Sequence, residues 1–322
     1  MTATALSDEP SFAGVLAAAD AIAATLPATP AWSYPMLDSR VGARVIVKHE
    51  NTQPTGAFKV RGGVTLASTL DADERASGVV TVSTGNHAQS IAFAALAGGF
   101  EAVIVMPRSA PAVKVDAVIA LGATVVIHGD DMPAAGARAR ELAVERGMRW
   151  IDPGAEHAII HGHATVALEL LRSHPEIETL YVPIGSGSGA AGAILVRDAI
   201  APGTRIVGVQ SAAAPAAHRS WRSGRIETAP ISTFASGLAT GAGVATTQRI
   251  LRAGLDDFIL VDDADLRAAM CLMATAAHTL CEGAGAAGLA AILADRDRAG
   301  TVAFACTGGN ASADELRELA AA

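Results

Sequence analysis

Short apolar stretches rich in β-branched residues alternate along this chain with longer, alanine-rich stretches of helical length. The apolar stretches are nearly continuous, which is typical of parallel strands covered by helices on both faces of a sheet. The pattern therefore predicts an α/β fold built on parallel sheets. The predicted strands are 44–49, 79–83, 102–106, 124–128, 179–183, 205–210, 258–261 and 301–306, and the predicted helices are 87–97, 113–121, 131–146, 162–173, 190–199 and 265–280.

The interval 212–247 has a weaker periodic pattern, so we expect a loop-rich insertion there. Polar loops that contain glycine follow three predicted strands, at 84–87, 185–189 and 307–310. Ligands of open parallel sheets bind at the carboxyl ends of the strands. We therefore expect these three loops to line one site.

The composition indicates a globular protein and argues against several other classes. The 322 residues are 51% hydrophobic and 17% charged, which suits one large or two modest domains with a large core. Residues 78–100 lack charged side chains, but polar ones interrupt the stretch, so we predict no membrane span. The net charge of −8, with no basic run, argues against nucleic acid as a partner. The three cysteines lack metal-ligand spacing and residues 1–10 lack the features of a secretory leader, so we expect a cytoplasmic protein.

Lysine is rare in this chain, and one lysine stands in an unusual setting. Only three of the 24 Lys and Arg residues are lysines, namely Lys48, Lys59 and Lys114. Lys59 lies in the glycine-flanked segment 54–63 (PTGAFKVRGG). An amine can lose its proton and attack a carbonyl, whereas a guanidinium effectively cannot. Lys59 is therefore a candidate Schiff-base nucleophile.

The segment 185–192 (GSGSGAAG) follows a predicted strand and opens a predicted helix. Backbone amides of a glycine-rich turn at a helix N-terminus bind anions well. Residues 187–192 also match a dinucleotide fingerprint, which needs an acidic residue at the end of the next strand. That strand ends in Gln210, and no Gly-Lys-Ser/Thr sequence completes a P-loop. A small phosphomonoester is the best candidate ligand.

The remaining motifs are less specific on their own. Residues 83–89 (STGNHAQ) suit a carboxylate at a helix start, but a plain helix cap explains them equally well. Residues 307–310 (TGGN) form a turn, and His161 and His163 are two apart on a predicted helix, which is poor spacing for a metal. An amine, a phosphate loop and a carboxylate loop together indicate pyridoxal 5′-phosphate as cofactor and an amino acid as substrate.

Five segments in order resemble the serine/threonine dehydratases (ammonia-lyases), which are fold-type II pyridoxal-phosphate enzymes. They are the lysine segment 54–62, the loop 83–89, the loop 183–192, the segment 282–286 (EGAGA) and the turn 307–310. The resemblance covers roughly residue 30 to the C-terminus. It implies a two-domain fold like that of the tryptophan synthase β chain. A large domain would comprise 1–72 and 151–322, and a small mobile domain would comprise 73–150.

The resemblance also implies a role for each matching position. Lys59 would hold the cofactor as a Schiff base and move the Cα proton, Asn86 would bond the phenolic oxygen, and Thr307 would face the pyridine nitrogen. Cofactor contacts are expected from Phe58, Lys59, Asn86, Gly185, Ser186, Gly187, Ser188, Gly189, Gly237, Glu282 and Thr307, and contacts to the substrate carboxylate from Ser83, Thr84, Gly85 and His87.

The implied reaction is the conversion of L-threonine or L-serine to a 2-oxo acid and ammonia. Because the chain ends soon after the last motif, a degradative role without a regulatory domain is expected. Substrates such as hydroxyectoine-derived amino acids, 3-hydroxyaspartate or phenylserine stay open. Racemase activity also stays open, because Thr84 stands where serine racemases carry serine. A non-catalytic or dinucleotide-binding protein on the same scaffold is the alternative from another class.

Several positions depart from the family pattern. Ser186 and Ser188 replace glycines of the phosphate loop, and serine can also donate to phosphate. Ser236 stands where aspartate is common before Gly237, which bears on the choice of substrate. Gln210 and Ala216 replace acids of metal-dependent relatives, so we predict no structural metal. A homodimer or homotetramer is expected from the resemblance alone.

Overall fold

The computed structural model describes residues 9–298 and 300–321. Helices and strands alternate through these ranges. The helices are α1 Phe12–Ala23, α2 Pro35–Val41, α3 Lys59–Thr69, α4 Ala72–Ser77, α5 Asn86–Gly98, α6 Ala112–Ala120, α7 Met132–Arg146, α8 His157–Ser173, α9 Ser188–Ile200, α10 Ala216–Ser223, α11 Ala245–Gly254, α12 Asp263–Ala276, α13 Gly283–Ala294 and α14 Ala313–Ala321. The strands are β1 Ala31–Trp32, β2 Val45–Lys48, β3 Val79–Val82, β4 Ala102–Met106, β5 Thr124–Ile127, β6 Arg149–Trp150, β7 Ile177–Pro183, β8 Arg205–Ser211, β9 Asp257–Val261 and β10 Thr301–Ala305.

The strands of the described ranges form two sheets. The larger has the order β1-β2-β10-β7-β8-β9 and is parallel apart from the short antiparallel edge pair β1–β2. The smaller is wholly parallel with the order β5-β4-β3-β6. Parallel strands need crossover connections, which the helices between them supply. The predicted α/β class is confirmed.

Burial explains why the strand sequences are continuously apolar. Every residue of β2, β3 and β4 is buried, as expected when helices cover both faces of a parallel sheet. Local signals set the helix ends. Asp131 caps α7 by accepting from the Ala134 amide, and Gly99 ends α5 in the left-handed conformation at φ 68°.

Helices α3, α8 and α9 pack together, and the starts of α3 and α9 carry the predicted lysine and the end of the predicted phosphate loop. Helix α8 lies between α3 and α9 and contacts both. Gly192 makes the α8–α9 contact close, since a Cβ there would lie 2.7 Å from the Ala164 Cα. The starts of α3 and α9 are therefore held at fixed positions by one buried helix.

The eight predicted strands all correspond to observed ones. Helix α8 begins at His157, five residues before the predicted start of the helix 162–173. Helix α12 ends at Ala276, four residues before the predicted end of the helix 265–280. Most of 212–247 lies outside helices and strands, as expected, but α10 and the start of α11 fall within it and were not predicted. The boundaries 1–72, 73–150 and 151–322, and the mobility of the small domain, stay predictions.

Candidate active site

Lys59 is the first residue of α3 and lies at the carboxyl edge of the larger sheet. The amide of the preceding residue, Phe58, donates to the Thr307 carbonyl at 2.9 Å, which ties the lysine to the end of β10. The Lys59 carbonyl accepts from Ser90 Oγ at 2.5 Å, which ties it to α5. The lysine Nζ lies 4.9 Å from the centroid of the Phe58 ring. The backbone at Lys59 is thus tied to elements of both sheets.

The environment of Lys59 favours the neutral amine. Desolvation by burial lowers the pKa of Lys59 to about 8, although the negative charge of Glu282 opposes the shift. At pH values near 8, about half of the molecules carry an unprotonated nucleophile. An exposed lysine would be almost wholly protonated there.

The loop 185–189 follows β7 and leads into α9, as the sequence predicted. Gly187 precedes the helix with φ 92°, a left-handed conformation that glycine adopts without strain. No side chain of the described residues caps this helix start. The amides of this helix start are therefore free to bind an anion, which the helix dipole also favours.

Neighbouring segments hold the loop from two sides. A Cβ at Gly185 would lie 2.5 Å from the Gly237 carbonyl oxygen, so the two backbones touch. The Ser186 carbonyl accepts from Thr247 Oγ1 at 2.5 Å. A Cβ at Gly189 would lie 3.4 Å from the Phe58 ring. The anion loop and the lysine segment are therefore adjacent.

Asn86, Glu282 and Asn310 form a hydrogen-bonded chain across the site. Asn86 Nδ2 donates to Glu282 Oε1 at 2.7 Å, and Asn310 Nδ2 donates to Asn86 Oδ1 at 2.8 Å. Burial raises the pKa of Glu282, while the bond from Asn86 lowers it. A Cβ at Gly308 would lie 2.3 Å from Glu282 Oε1, so glycine is needed beside this chain.

The predicted carboxylate loop follows β3. Ser83 Oγ accepts from the Gly85 amide at 3.2 Å, and no side chain within residues 9–298 and 300–321 caps α5. Ser83 therefore bonds within the loop, and the amides of the first turn of α5 have no side-chain acceptor among the described residues. His87 Nε2 lies 3.2 Å from Thr81 Oγ1, and desolvation, helped by the charge of Lys59, lowers the pKa of His87 to about 3. The imidazole is neutral at physiological pH.

Thr307 lies at the end of β10, where its hydroxyl donates to the Ala284 carbonyl at 3.2 Å. Gly237 lies in a short 3₁₀ turn, Ser236–Leu238, against Ala284. Lys114 Nζ, from α6 of the smaller sheet, lies 3.5 Å from Ser236 Oγ. The structure thus brings the sequence-predicted residues to one place between the two sheets.

The dinucleotide interpretation has no support in the fold. Gln210 is buried near the end of β8, the strand after α9, and its Oε1 accepts from the His218 amide at 3.0 Å. The side chain at this position is therefore an amide, not the carboxylate that the dinucleotide fingerprint requires. Within the described ranges, no three His, Cys, Asp or Glu side chains cluster as metal ligands, and no helix has the length and hydropathy to cross a bilayer.

Sequence reasoning missed two features of the site. His163 was considered only as a metal ligand, yet its Nδ1 lies 2.9 Å from Ser188 Oγ in the anion loop. Arg61 is fully buried two residues after the lysine and pairs with Glu50 and Glu169. A buried arginine is rare enough that its place within an apolar helix was the available signal.

The structure fits a phosphorylated aldehyde cofactor. A helix start without a side-chain cap supplies donors for the phosphate, and a lysine with a lowered pKa lies beside it. The fold and the site together define a pyridoxal-phosphate enzyme of fold-type II. A family model described as pyridoxal-phosphate dependent enzyme matches residues 22–308. The chain belongs to this family, and its cofactor is pyridoxal 5′-phosphate.

Similar proteins agree with this assignment. The chain is 35% identical over 265 residues to the L-threonine dehydratase biosynthetic IlvA of Pasteurella multocida, covering 82% of this chain and 52% of that protein. It thus spans about half the length of that relative. It is 35% identical over 292 residues to L-threo-3-hydroxyaspartate ammonia-lyase of Saccharomyces cerevisiae, covering 89% of each. The structure of maize serine racemase matches with a TM-score of 0.92 and 33% identity over 96% of each chain.

Proposed function

We propose that this protein is an ammonia-lyase that converts L-threonine, L-serine or both to a 2-oxo acid and ammonia, in a degradative role. The observation that carries the proposal is Lys59, with its lowered pKa, beside an anion loop whose amides are free. The names of the dehydratase and ammonia-lyase relatives support the reaction class. A homodimer or homotetramer in the cytoplasm stays our expectation.

Each part of the cofactor would contact different residues of the site. Residues 185–189 would bind the phosphate through backbone amides and the two serine hydroxyls. Phe58 would pack against the ring, and Asn86 would donate to the phenolic oxygen. Thr307 would face the pyridine nitrogen, and a hydroxyl there does not hold the nitrogen protonated as a carboxylate would. Gly237 and Glu282 would complete the wall of the pocket.

When bound, pyridoxal 5′-phosphate supplies the electron sink that stabilises negative charge at the substrate Cα. Lys59 Nζ would take the Cα proton, because a pKa of about 8 leaves enough neutral amine to act as a base. The loop of Ser83, Thr84, Gly85 and neutral His87 would hold the substrate carboxylate. A hydroxyl leaves from Cβ as water once it receives a proton, for which the Lys59 ammonium is available.

The proposal is tested by assaying 2-oxo acid and ammonia from L-threonine and L-serine. We expect both products in equal amounts, and Lys59→Ala should lower kcat by about a thousandfold because it removes the base. Lys59→Arg keeps the positive charge but cannot act as the base, so it should be equally inactive. Activity of either variant close to that of the natural chain would contradict the proposal.

Another hydroxyamino acid is the first alternative substrate. The yeast relative, matched over 89% of each chain, is named for L-threo-3-hydroxyaspartate. Lys114 lies beside Ser236, and its positive charge lowers the pKa of Glu282, so a cation lies within reach of the pocket. The same assay with 3-hydroxyaspartate, phenylserine and hydroxyectoine-derived amino acids decides the substrate by the highest kcat/KM.

Racemisation is the second alternative, favoured by the likeness to maize serine racemase. The Thr84 hydroxyl would deliver a proton to the face opposite Lys59. Chiral chromatography of the reaction with L-serine measures D-serine directly. Formation of D-serine that Thr84→Ala abolishes would establish this activity, and keto acid without D-serine would exclude it.

A further inference from the structure

His163 lies deep in the protein beside the proposed cofactor site and has no part in the chemistry described so far. It is the seventh residue of α8, and only 2% of its surface is exposed. Its ring centroid lies 4.6 Å from that of Phe58. A buried imidazole costs free energy unless its polar atoms are used, so its hydrogen bonds indicate its purpose.

The ring makes one close polar contact. His163 Nδ1 lies 2.9 Å from Ser188 Oγ, and Ser188 is itself 1% exposed. Ser188 is the first residue of α9 and stands where the resembled family carries glycine. Its hydroxyl is thus an addition of this chain to the phosphate loop. A buried side chain on a neighbouring helix is its hydrogen-bond partner.

The proton count of the Ser188 hydroxyl decides the direction of this bond. The hydroxyl has one proton, and a bound phosphate monoester presents only acceptor oxygens. If the proton pointed to His163 Nδ1, the lone pairs of Ser188 would face the phosphate and repel it. If Nδ1–H donates to Ser188 Oγ, the hydroxyl is free to donate to the phosphate in a charge-assisted bond.

The surroundings of the other ring nitrogen, Nε2, favour the same direction of the bond, from Nδ1–H to Ser188 Oγ. His163 Nε2 packs on Gly62, where a Cβ would lie 2.6 Å from it, and no described residue gives it a hydrogen bond of normal geometry. A buried N–H without an acceptor is rarer than an unused lone pair. Desolvation, and then the charge of Lys59, lower the pKa of His163 well below its ordinary range, while an interaction of the ring with the Lys59 backbone opposes that shift. The ring is therefore neutral, with one proton to place.

We propose that His163 is a positioning residue that donates from Nδ1 to Ser188 and so fixes the serine hydroxyl as a donor to the cofactor phosphate. The inference rests on the proposed phosphate role of residues 185–189. In this proposal the Ser188 hydroxyl adds a hydrogen bond to the phosphate, and His163 holds the hydroxyl in the orientation that allows this bond. His163 itself does not touch the phosphate.

A double-mutant cycle on cofactor affinity tests the pair. Cofactor-free, full-length protein is titrated with pyridoxal 5′-phosphate and, separately, with pyridoxal, which lacks the phosphate. His163→Phe and Ser188→Ala should each weaken binding of pyridoxal 5′-phosphate about tenfold or more, the usual effect of losing a hydrogen bond to a charged group. The double variant should bind no more weakly than Ser188→Ala. Binding of pyridoxal should be unchanged throughout.

A conservative variant separates positioning from packing. His163→Asn keeps an N–H donor near the place of Nδ1 and should retain most of the affinity for pyridoxal 5′-phosphate. Equal loss of pyridoxal and pyridoxal 5′-phosphate in His163→Phe would overturn the proposal, as would independent losses from the two sites. Ser188→Ala without any effect on the binding of pyridoxal 5′-phosphate would also overturn the proposal, and it would leave the phosphate to the backbone amides of the loop, so the proposed function itself would stand.

The tautomer gives a second test that needs no variant. Nitrogen-15 chemical shifts of His163 in the cofactor-loaded natural chain report which ring nitrogen carries the proton. The proposal requires the proton on Nδ1. A proton on Nε2 in the loaded protein would overturn it, whatever the affinities of the variants.

Discussion

Burial disfavours the charged form of three side chains in the pocket, namely Lys59 and its neighbours His87 and His163. Burial and the lysine charge lower the pKa of His87 to about 3, and they also lower that of His163 well below its ordinary range. Burial lowers the pKa of Lys59 itself to about 8. A low local dielectric therefore suppresses positive charge in the pocket, which leaves the amine nucleophilic.

The lowered pKa of Lys59 has a measurable consequence for loading of the cofactor. Only the neutral amine attacks the aldehyde, so the loading rate of cofactor-free protein should rise about tenfold per pH unit below pH 7 and level off above about pH 8. Nα-acetyl-lysine, with a pKa near 10.5, should keep reacting faster through pH 10. Stopped-flow absorbance gives both curves. A protein curve that also rises through pH 10 would contradict the burial of Lys59.

Helix α3 presents the lysine, and a buried ion network holds its first turn. Arg61 donates from all three guanidinium nitrogens to Glu50, Glu169 and Thr165, at distances from 2.6 to 3.1 Å. Lys48 Nζ donates to Glu169 at 2.5 Å. The two cations and two carboxylates balance in charge. The network joins α3, α8 and the end of β2 beneath the site.

Arg61→Leu should destabilise the protein strongly. The change leaves Glu50, which is fully buried, without its cationic partner, and breaking such a pair costs about 3–5 kcal/mol of unfolding free energy. The matched control is Arg108→Leu, whose pair with Asp130 is exposed, and it should show a small fraction of that loss. Denaturant unfolding measures both. Equal losses of unfolding free energy in the two variants would contradict a stabilising role for the buried Arg61 network.

The turn before α9 requires glycine at position 187. Gly187→Ala places a side chain at φ 92°, where its Cβ would also lie 3.0 Å from Thr247 Oγ1. We expect a loss of about 1–2 kcal/mol in stability, together with weaker cofactor binding. Gly203→Ala is the control, because its Cβ would meet nothing within 4 Å. Cofactor titration and thermal unfolding test the pair, and similar results for both variants would contradict the strain.

At the scale of the molecule, the sequence predicted what is local and missed what is tertiary. Parallel strands and glycine-rich helix starts have short signatures, so β7, the loop 185–189 and α9 were predicted nearly in place. The bond between His163 and Ser188 joins two helices across 25 residues of chain. The Arg61–Glu169 pair spans 108 residues. Neither contact has a periodic signal, because each depends on how α8 packs between α3 and α9.

The central claim is that Lys59 holds the cofactor and that the loaded protein eliminates water from a hydroxyamino acid. The most direct measurement is the near-ultraviolet and visible absorption spectrum of the purified protein, before and after addition of L-threonine, with Lys59→Ala as control. We expect a band of the lysine-bound cofactor that shifts and decays while 2-oxobutyrate accumulates, and no such lysine-bound band in Lys59→Ala. A natural chain that shows no band after incubation with pyridoxal 5′-phosphate would contradict it.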